Sequence, residues 1–526
     1  GWDWLRQHLD ARSLDLLGIT LPHELTYTNI LEALDLAGIP LRACERGEGV
    51  PLVIGGGPSA HNPEPIAPFF DAILIGDGEE AVLEIVAAHR AARDRGASRA
   101  QALSELARIE GVYVPSLYEP RDDGALVALP GAPAHVTRRV LRDLGQYPGP
   151  TCPVVPYADV VHDRATIEVL RGCSRGCRFC QAGMVYRPVR ERAADDIVRD
   201  AVATLACTGY EEISLTSLST ADHSQLEEVL RRLARRFEGA GVAISVPSLR
   251  VDSFTLSLAR LLGSGRRSGL TFAPEAGSQR LRDAINKNVT EEELLTTVSA
   301  AFGGGWRRLK LYFMLGLPTE TDEDVTAIGT LVSRVLATAR EATPPAERGS
   351  VRIAVSVSTF VPKAHTPFQW EGQLPLEEVR RRQGLLRSAT PQRGVELSWH
   401  DANTSFLEAV LARGDRPVAD AIEAAWRSGA AFDAWSERFS LARWLEAFAS
   451  AGIDPVERAT RPFPEDAPLP WSHVDSGVSP AFLAAERRRA YVAETTEDCT
   501  FGDCTGCGVC PAFGVDVVLA GGERRV

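Results

Sequence analysis

Short apolar runs that end in glycine alternate with helix-type spacing along the first 150 residues. Residues 29–37 carry apolar side chains at helical intervals. Two apolar runs, residues 51–54 and 72–75, each lead directly into a glycine turn. The glycines of these turns are Gly55, Gly56, Gly57 and Gly76. The repeating order of strand, tight turn and helix predicts a parallel sheet covered by helices, with ligands at the carboxyl ends of its strands.

The alternation continues beyond residue 150 with longer periods, and each gap is long enough for a crossover helix. This spacing predicts a partial β/α barrel whose active site lies on the loops after the strands. The strand candidates are residues 166–170, 213–216, 242–246, 269–272, 309–315 and 351–360. From about residue 400 the pattern becomes helical and rich in Trp.

The linker between the first two regions is the stretch from residue 118 to 156, which is rich in Pro, Gly and Asp. The predicted fold class is therefore α/β: a Rossmann-like parallel sheet, a partial β/α barrel and a mainly helical carboxyl-terminal region. We expect domains at residues 1–150, 151–400 and 401–526. The first domain is expected to be incomplete, because its opening strand is placed upstream of Gly1.

Composition narrows the possible classes of protein. Of the 526 residues 44% are hydrophobic and 24% are charged, and no apolar run approaches the roughly 20 residues that a membrane span needs. The net charge of −13 weakens the case for a broad nucleic-acid surface. Seven of the ten cysteines lie in two tight groups, in a chain without an export signal, which favours metal binding and a reducing, cytoplasmic location. Cys44, Cys152 and Cys207 are interpreted as single cysteines.

The first cysteine group has the spacing C-x3-C-x2-C and directly follows a predicted strand. Its members are Cys173, Cys177 and Cys180. Three thiolates bind a four-iron cubane and leave one iron open to an exogenous ligand, whereas structural zinc needs four protein ligands. Gly172 and Gly176 allow a tight loop around such a cluster. A zinc site completed by a distant His is the alternative.

The loop Cys173-Ser174-Arg175-Gly176-Cys177-Arg178-Phe179-Cys180 resembles that of the radical S-adenosylmethionine (SAM) superfamily, including the aromatic Phe179 before the last cysteine. The resemblance implies a 4Fe-4S cluster whose open iron binds SAM. It further implies reductive cleavage of SAM to a 5′-deoxyadenosyl radical, which abstracts hydrogen from a substrate. An electron donor such as flavodoxin or ferredoxin is the implied partner.

The resemblance also implies contacts to SAM at the ends of later strands. Thr216, Ser217 and Ser219 stand where the family has a Gly-Gly-Glu type turn, although Ser219 as a helix cap is an equal alternative. Ser248 is matched to the ribose and Arg250 to the carboxylate, unless Arg250 pairs with an acid such as Asp252. Glu275 is expected in the barrel mouth, where it needs a ligand or a cation. Residues 311–321 match the segment that lines the adenine pocket.

The amino-terminal region resembles the cobalamin-binding domain of a widespread bacterial subfamily, and this likeness spans about residues 16–510. It implies that Gly55, Gly56, Gly57 and Gly76 cradle cobalamin. The Asp-x-His-x-x-Gly loop that supplies a cobalt ligand in many cobalamin proteins is absent. A degenerate domain that only shapes the substrate site is therefore an alternative. His61 is interpreted as a surface residue rather than as a cobalt ligand.

The second cysteine group has the spacing C-x4-C-x2-C-x2-C and is followed by Pro511. Its members are Cys499, Cys504, Cys507 and Cys510. Four thiolates suit either a second 4Fe-4S cluster, which the Cys-Pro ending favours, or tetrahedral zinc. His473 is interpreted as a capping or packing residue rather than as a further ligand.

The leading hypothesis is a radical SAM enzyme that acts on an unidentified substrate, with cobalamin as a candidate methyl carrier. Sulfur insertion, as in methylthiotransferases, is a second hypothesis, but it needs an open iron that four cysteines disfavour. A third hypothesis is a non-catalytic RNA- or ribosome-associated iron–sulfur factor, which basic runs such as residues 379–382 support weakly.

Overall fold

The computed structural model describes residues 11–121, 124–158, 160–247 and 270–520. The chain forms two compact units. Unit 1 contains residues 1–141, 361–376 and 401–483, and unit 2 contains residues 142–360, 377–400 and 484–526. These units mark where contacts concentrate, so the expected division into domains at residues 150 and 400 stays a prediction. Within the described residues, no helix is both long and apolar enough to cross a membrane.

The described strands are numbered in chain order. They are β1 Leu16–Thr20, β2 Leu52–Gly56, β3 Ala72–Leu74, β4 Val112–Tyr113, β5 Tyr118–Pro120, β6 Leu126–Ala128, β7 Val136–Thr137, β8 Ala165–Glu168, β9 Leu170–Arg171, β10 Arg190–Glu191, β11 Glu212–Thr216, β12 Ala243–Ser245, β13 Leu270–Glu275, β14 Arg308–Leu315, β15 Arg352–Thr359, β16 Val395–Trp399 and β17 Val474–Asp475.

The described α-helices follow the same numbering. They are α1 Tyr27–Leu36, α2 Ala81–Asp94, α3 Arg99–Leu106, α4 Ala182–Val185, α5 Ala194–Thr208, α6 Leu226–Arg236, α7 Gln279–Ala284, α8 Glu291–Gly303, α9 Asp322–Glu341, α10 Leu376–Ala389, α11 Ala402–Ala412, α12 Val418–Arg427, α13 Leu441–Ser450, α14 Pro455–Thr460, α15 Pro480–Tyr491 and α16 Val509–Phe513.

Unit 1 is built on a sheet with the order β1-β2-β3-β4, in which β1, β2 and β3 run parallel and β4 runs antiparallel. The helix α1 connects β1 to β2, as the alternating pattern predicts. The strand β1 was missed because the opening strand was expected upstream of Gly1. Its half-exposed side chains and its central Gly18 give a weak strand signal.

The helices α11, α12 and α13 share one hydrophobic core with this sheet. Buried side chains of these helices, such as Leu407, Ile422 and Trp444, belong to the same cluster as Val53 and Ile73 of the strands. Part of the predicted helical carboxyl-terminal region therefore covers the amino-terminal sheet.

Unit 2 carries parallel strands alternating with helices, as predicted for a partial β/α barrel. One sheet has the order β12-β11-β8 and the other the order β13-β14-β15-β16, with every pair parallel. All six predicted strands are present in whole or in part. The seventh, β16, was missed because its apolar and polar residues alternate and none of them is fully buried. The α/β class is confirmed, and the carboxyl ends of these strands position the site described next.

Candidate active site

The first cysteine loop follows β8 and β9, at the carboxyl end of the three-stranded sheet. The loop begins at Gly172, where φ is +91° and a Cβ atom would lie 2.3 Å from the carbonyl oxygen of Pro188. Only glycine fits there. Beyond the loop, the backbone N–H of Gly183 donates to Sγ of Cys180 at 3.3 Å. This is the kind of N–H contact that supports a cluster ligand.

The thiols of this loop lie close to one another, and water is largely excluded around Cys173 and Cys180. Burial, reinforced by the neighbouring Cys177, raises the pKa of Cys173 to about 12 and that of Cys180 to about 11. Three thiolates there therefore need a bound cation, and an iron cubane supplies one. Within the described ranges, no three Cys, His, Asp or Glu side chains could share one metal ion. A cubane does not require such a group, because each cysteine binds a different iron.

Two side chains hold the loop in place. Asn286 lies in the segment after α7, and Arg178 belongs to the loop itself. Nδ2 of the buried Asn286 donates to the carbonyl oxygens of Arg175 and Gly176 at 3.3 and 3.2 Å. The fully buried Arg178 forms an ion pair with Glu486 at 3.0 Å. The predicted cofactor residue Phe179, which follows Arg178 in the sequence, is half-buried. The loop is thus anchored through the carbonyl groups of Arg175 and Gly176 and through the Arg178 side chain.

The predicted hydroxyl turn lies beside this loop, since Thr216 at the end of β11 is in register with Glu168 of β8. The three predicted side chains make contacts within the protein. Thr216 donates to the carbonyl oxygen of Ile167, Ser217 contacts the hydroxyl of Thr220, and Ser219 donates to Asp222 at 2.5 Å. Ser219 makes no side-chain cap, contrary to the alternative considered above.

Asp222, which the sequence analysis missed, links this turn to the cysteine loop. Its carboxylate accepts both the Ser219 hydroxyl and Nε of Arg175, the latter at 2.9 Å. The predicted SAM contacts Ser248 and Arg250 lie outside the described residues.

Glu275 ends β13 with φ at +69°. Burial raises its pKa, and Lys287, with Nζ 3.2 Å from the carboxylate, opposes that shift. The expectation that Glu275 needs a cation is therefore met by Lys287. Sequence reasoning missed Lys287, although the polar run Asn286-Lys287-Asn288 directly after α7, flanked by Ile285 and Val289, was an available signal.

The second cysteine group packs against the first loop within unit 2. The hydroxyls of Ser174 and Thr500 lie 2.6 Å apart, next in sequence to Cys173 and Cys499. Among its cysteines, Cys504 is exposed and Cys507 is buried. The chain therefore brings the two predicted metal sites together, which their separation in sequence did not indicate.

The glycine turns of unit 1 are filled by the chain itself. A Cβ atom would lie 3.0 Å from the Phe70 ring at Gly55, 2.8 Å from the Leu21 carbonyl oxygen at Gly57 and 2.1 Å from the Arg139 carbonyl oxygen at Gly76. At Gly56 the nearest atom is the carbonyl oxygen of Leu74, at 3.5 Å. These glycines permit close backbone packing, so the structure does not show the expected cradle at them.

The carboxyl edge of the same sheet is covered by later parts of unit 1. Asn62 donates to the carbonyl oxygens of Ala412 and Gly414 at 2.9 and 3.0 Å. Arg416 pairs with the buried Glu64 at 2.9 Å. These contacts join the loop after β2 to later residues of unit 1.

The interpretation of His61 as a surface residue is wrong. The side chain is 2% exposed, and its backbone oxygen lies 3.0 Å from Nε2 of His365. Burial lowers the pKa of His61 well below its usual value. The Pro-rich loop suggested exposure, but the segment around residue 365 covers it. His473, by contrast, packs against the rings of Tyr113 and Tyr118, as interpreted.

Cys152 and Cys207 are joined by a disulfide in the structure, with Cα atoms 5.4 Å apart. The sequence analysis had interpreted both as single cysteines. Their separation of 55 residues hides the pairing, which arises only because the linker approaches the end of α5. Cys44 is an exposed free cysteine.

Two protein-family models match the chain. One describes the amino-terminal region of radical SAM proteins and matches residues 5–115, and the other describes the radical SAM superfamily and matches residues 167–332. Together they span more than half of the chain. The second match contains the first cysteine loop, the hydroxyl turn and Glu275.

Relatives with similar sequences include an uncharacterized protein of Methanocaldococcus jannaschii, 27% identical over 86% of this chain and 89% of that protein. An uncharacterized methyltransferase of Pyrococcus horikoshii is 24% identical over 60% of this chain and 62% of that protein. A tRNA-2-methylthio-N(6)-dimethylallyladenosine synthase of Syntrophomonas wolfei is 25% identical over 44% of this chain and 51% of that protein.

Among solved structures, the radical SAM methyltransferase TsrM of Kitasatospora setae, with cobalamin and a 4Fe-4S cluster bound, superposes with a TM-score of 0.47 and 16% identity. The superposition covers 68% of this chain and 66% of TsrM.

Proposed function

Since the chain belongs to the radical SAM superfamily, we propose that it cleaves SAM reductively and uses the resulting radical to abstract hydrogen from a substrate. Cys173, Cys177 and Cys180 would hold the 4Fe-4S cluster. When bound, this cluster supplies one electron that breaks the bond between the sulfonium and C5′ of SAM. The products are methionine and a 5′-deoxyadenosyl radical, which becomes 5′-deoxyadenosine when it takes a hydrogen atom.

The observation that carries this proposal is the cysteine loop itself. Three partly buried thiols stand at the carboxyl end of a parallel strand, on a loop fixed by Asn286 and Arg178. Three ligands leave one iron of a cubane for SAM. The hydroxyl turn beside the loop and the Glu275–Lys287 pair offer polar groups for the amino and carboxylate ends of SAM.

The chain's own residues have two tasks in this scheme. The partly buried loop limits the access of water to a cluster and a radical that water and oxygen would destroy. Asp222 keeps Arg175 and Ser219 fixed beside the cofactor site. We further propose a reducing, cytoplasmic location and a donor such as flavodoxin or ferredoxin, because such a cluster needs both.

A Cys177→Ala variant tests the proposal. Anaerobically reconstituted protein is reduced with dithionite, and 5′-deoxyadenosine is measured by chromatography together with iron per chain. We expect the variant to produce none above background, because the cubane loses a ligand. The matched control is Cys44→Ala, an exposed cysteine of unit 1, which should behave as wild type. Production by Cys177→Ala at the wild-type rate would overturn the assignment.

Methyl transfer is the finer candidate, and the name of the Pyrococcus relative favours it. Cobalamin is the candidate methyl carrier, although the four glycines of unit 1 do not themselves form a cradle for it. Elemental analysis of protein produced with cobalamin present tests this version. One cobalt per chain would support cobalamin-dependent methyl transfer, and protein without cobalt would contradict it.

One relative of this chain is named as a tRNA-2-methylthio-N(6)-dimethylallyladenosine synthase, and this name supports the sulfur-insertion hypothesis. We do not favour it, because four cysteines leave the second site without an open iron. The hypothesis of a non-catalytic RNA-associated factor is not retained, since the family matches identify an enzyme domain.

A further inference from the structure

The carboxyl-terminal segment from residue 494 to 501 runs directly along the first cysteine loop. Arg175 of the loop pairs with Asp498 at 3.1 Å, and its guanidinium lies 5.4 Å from the centre of the Phe501 ring. Ser174 meets Thr500 through their hydroxyls at 2.6 Å. Because Cys173 precedes Ser174 and Cys499 precedes Thr500, these contacts bring one ligand of each cysteine group to the same place.

A buried cation lies between the two groups. Nε of Arg187 donates to the carbonyl oxygen of Gly183 at 2.9 Å, just beyond the first loop. The same guanidinium forms a hydrogen bond with Cys507 and interacts electrostatically with Cys499 and Cys173. A fixed positive charge stabilises the additional negative charge that a cluster acquires on reduction.

The segment after the second group is also fixed to unit 2. The backbone N–H of Glu191 donates to the carbonyl oxygen of Val518 at 2.9 Å, and the N–H of Val518 donates to Val189 at 2.9 Å. The second group is thus held on both sides, by residues 496–500 and by residue 518. A loosely attached tail would not be expected to make contacts on both sides of the cysteine group.

The cysteines of the second group differ in their exposure to solvent. Cys504 is exposed, whereas Cys507 beside Arg187 is buried. A redox protein that docks on the outside would therefore meet the second group at Cys504, because the three thiols of the first loop are less exposed than Cys504. This order suits a path for electrons from the surface to the site of SAM cleavage.

We propose that Cys499, Cys504, Cys507 and Cys510 hold a second 4Fe-4S cluster that passes electrons from an external protein donor to the first cluster. A one-electron donor of the flavodoxin or ferredoxin class is oxidised and reduces the second cluster. The second cluster is reoxidised as it reduces the first, so no bond forms or breaks before SAM is cleaved. This inference rests on the proposed function, since it needs a first cluster to reduce.

The test compares two reductants in the same protein. Dithionite is small and can reach the first cluster directly, whereas a reduced flavodoxin must dock on the surface. For a Cys504→Ala/Cys507→Ala variant, we expect the ratio of flavodoxin-driven to dithionite-driven 5′-deoxyadenosine formation to fall at least about tenfold. Cys44→Ala, the control, should keep the wild-type ratio. An unchanged ratio in a variant that has lost about four irons would overturn the relay.

A second measurement needs no variant. Wild-type holoprotein should contain about eight irons per chain. When it is fully reduced, its electron paramagnetic resonance spectrum should show magnetic coupling between two neighbouring clusters. About four irons with one zinc, or two uncoupled spectra, would overturn the inference. Failure of the proposed function is distinguishable, because it would appear as absent 5′-deoxyadenosine with dithionite even when both clusters are present.

Discussion

Arg178 is the side chain whose removal tests most directly how the cysteine loop is held. Its guanidinium is fully buried and pairs with Glu486 of α15 at 3.0 Å. It also donates to the carbonyl oxygens of Ala284 at 2.9 Å and Glu494 at 2.7 Å. Arg178→Met keeps most of the side-chain volume but removes the charge and every donor.

The expected cost follows from what remains behind. Breaking a buried ion pair by removing one partner costs about 3–5 kcal/mol, because the other charge stays buried. Glu486 retains Arg489 at 2.9 Å and Thr496 at 2.8 Å, and Arg489 is 42% exposed. These contacts compensate partly, so we expect Arg178→Met to lower the free energy of unfolding by about 3 kcal/mol.

Urea unfolding of anaerobically reconstituted protein measures this change, with iron per chain as a second readout. The matched control is Arg231→Met, whose pairs with Glu227 and Glu228 are at the surface and are worth less than about 1 kcal/mol. Adding Glu486→Leu to Arg178→Met should recover part of the loss, since the unpaired charge disappears. If Arg178→Met were as stable as the control, the loop would not depend on this ion pair.

Two further substitutions test the two units, one substitution in each unit. Burial raises the pKa of Glu320 to about 7, against the opposing effects of the Gly316 N–H and Arg382. Since the folded-state pKa exceeds the unfolded value of 4.5, its stabilisation is complete below pH 4.5 and falls by about 3 kcal/mol as the pH rises to 7. The urea midpoint of Glu320→Gln should therefore decrease less than that of wild type between pH 5 and 8, and parallel pH profiles would contradict this. In unit 1, Gly76→Ala forces a Cβ atom to within 2.1 Å of the Arg139 carbonyl oxygen at a φ of +104°, which should cost about 3 kcal/mol without any ligand. The control Gly78→Ala in the same turn meets nothing closer than 3.6 Å, and equal stability of the two variants would show that Gly76 is not needed for packing.

Local patterns predicted most of the framework. The apolar runs predicted the strands β2, β3, β8, β11, β12, β13, β14 and β15, because a buried strand needs a continuous or alternating apolar face. The pattern failed at β1 and β16, whose residues are partly exposed. The cysteine spacing identified the first loop because three ligands within eight residues can close around one cluster without help from distant chain.

Polar partners of the site were harder to predict. Lys287 lies 12 residues from Glu275, and Asp222 lies 47 residues from Arg175. Arg187 likewise meets Cys507 from a distant part of the sequence. A charged residue in a sequence does not reveal whether it is buried. The glycine turns show the opposite error. The sequence correctly marked Gly76 as a tight turn, but it could not show that the space beside it is filled by Arg139.

The sequence by itself determined the alternation of strands and helices and the two sets of cysteine ligands, because both depend on spacing along a short stretch of chain. The tertiary structure decided which surfaces meet. It placed the second cysteine group against the first through Ser174, Thr500 and Arg187, and it covered the sheet edge of unit 1 with Arg416 and Asn62. Such contacts join residues hundreds of positions apart, so they arise from packing of the whole chain rather than from any local pattern.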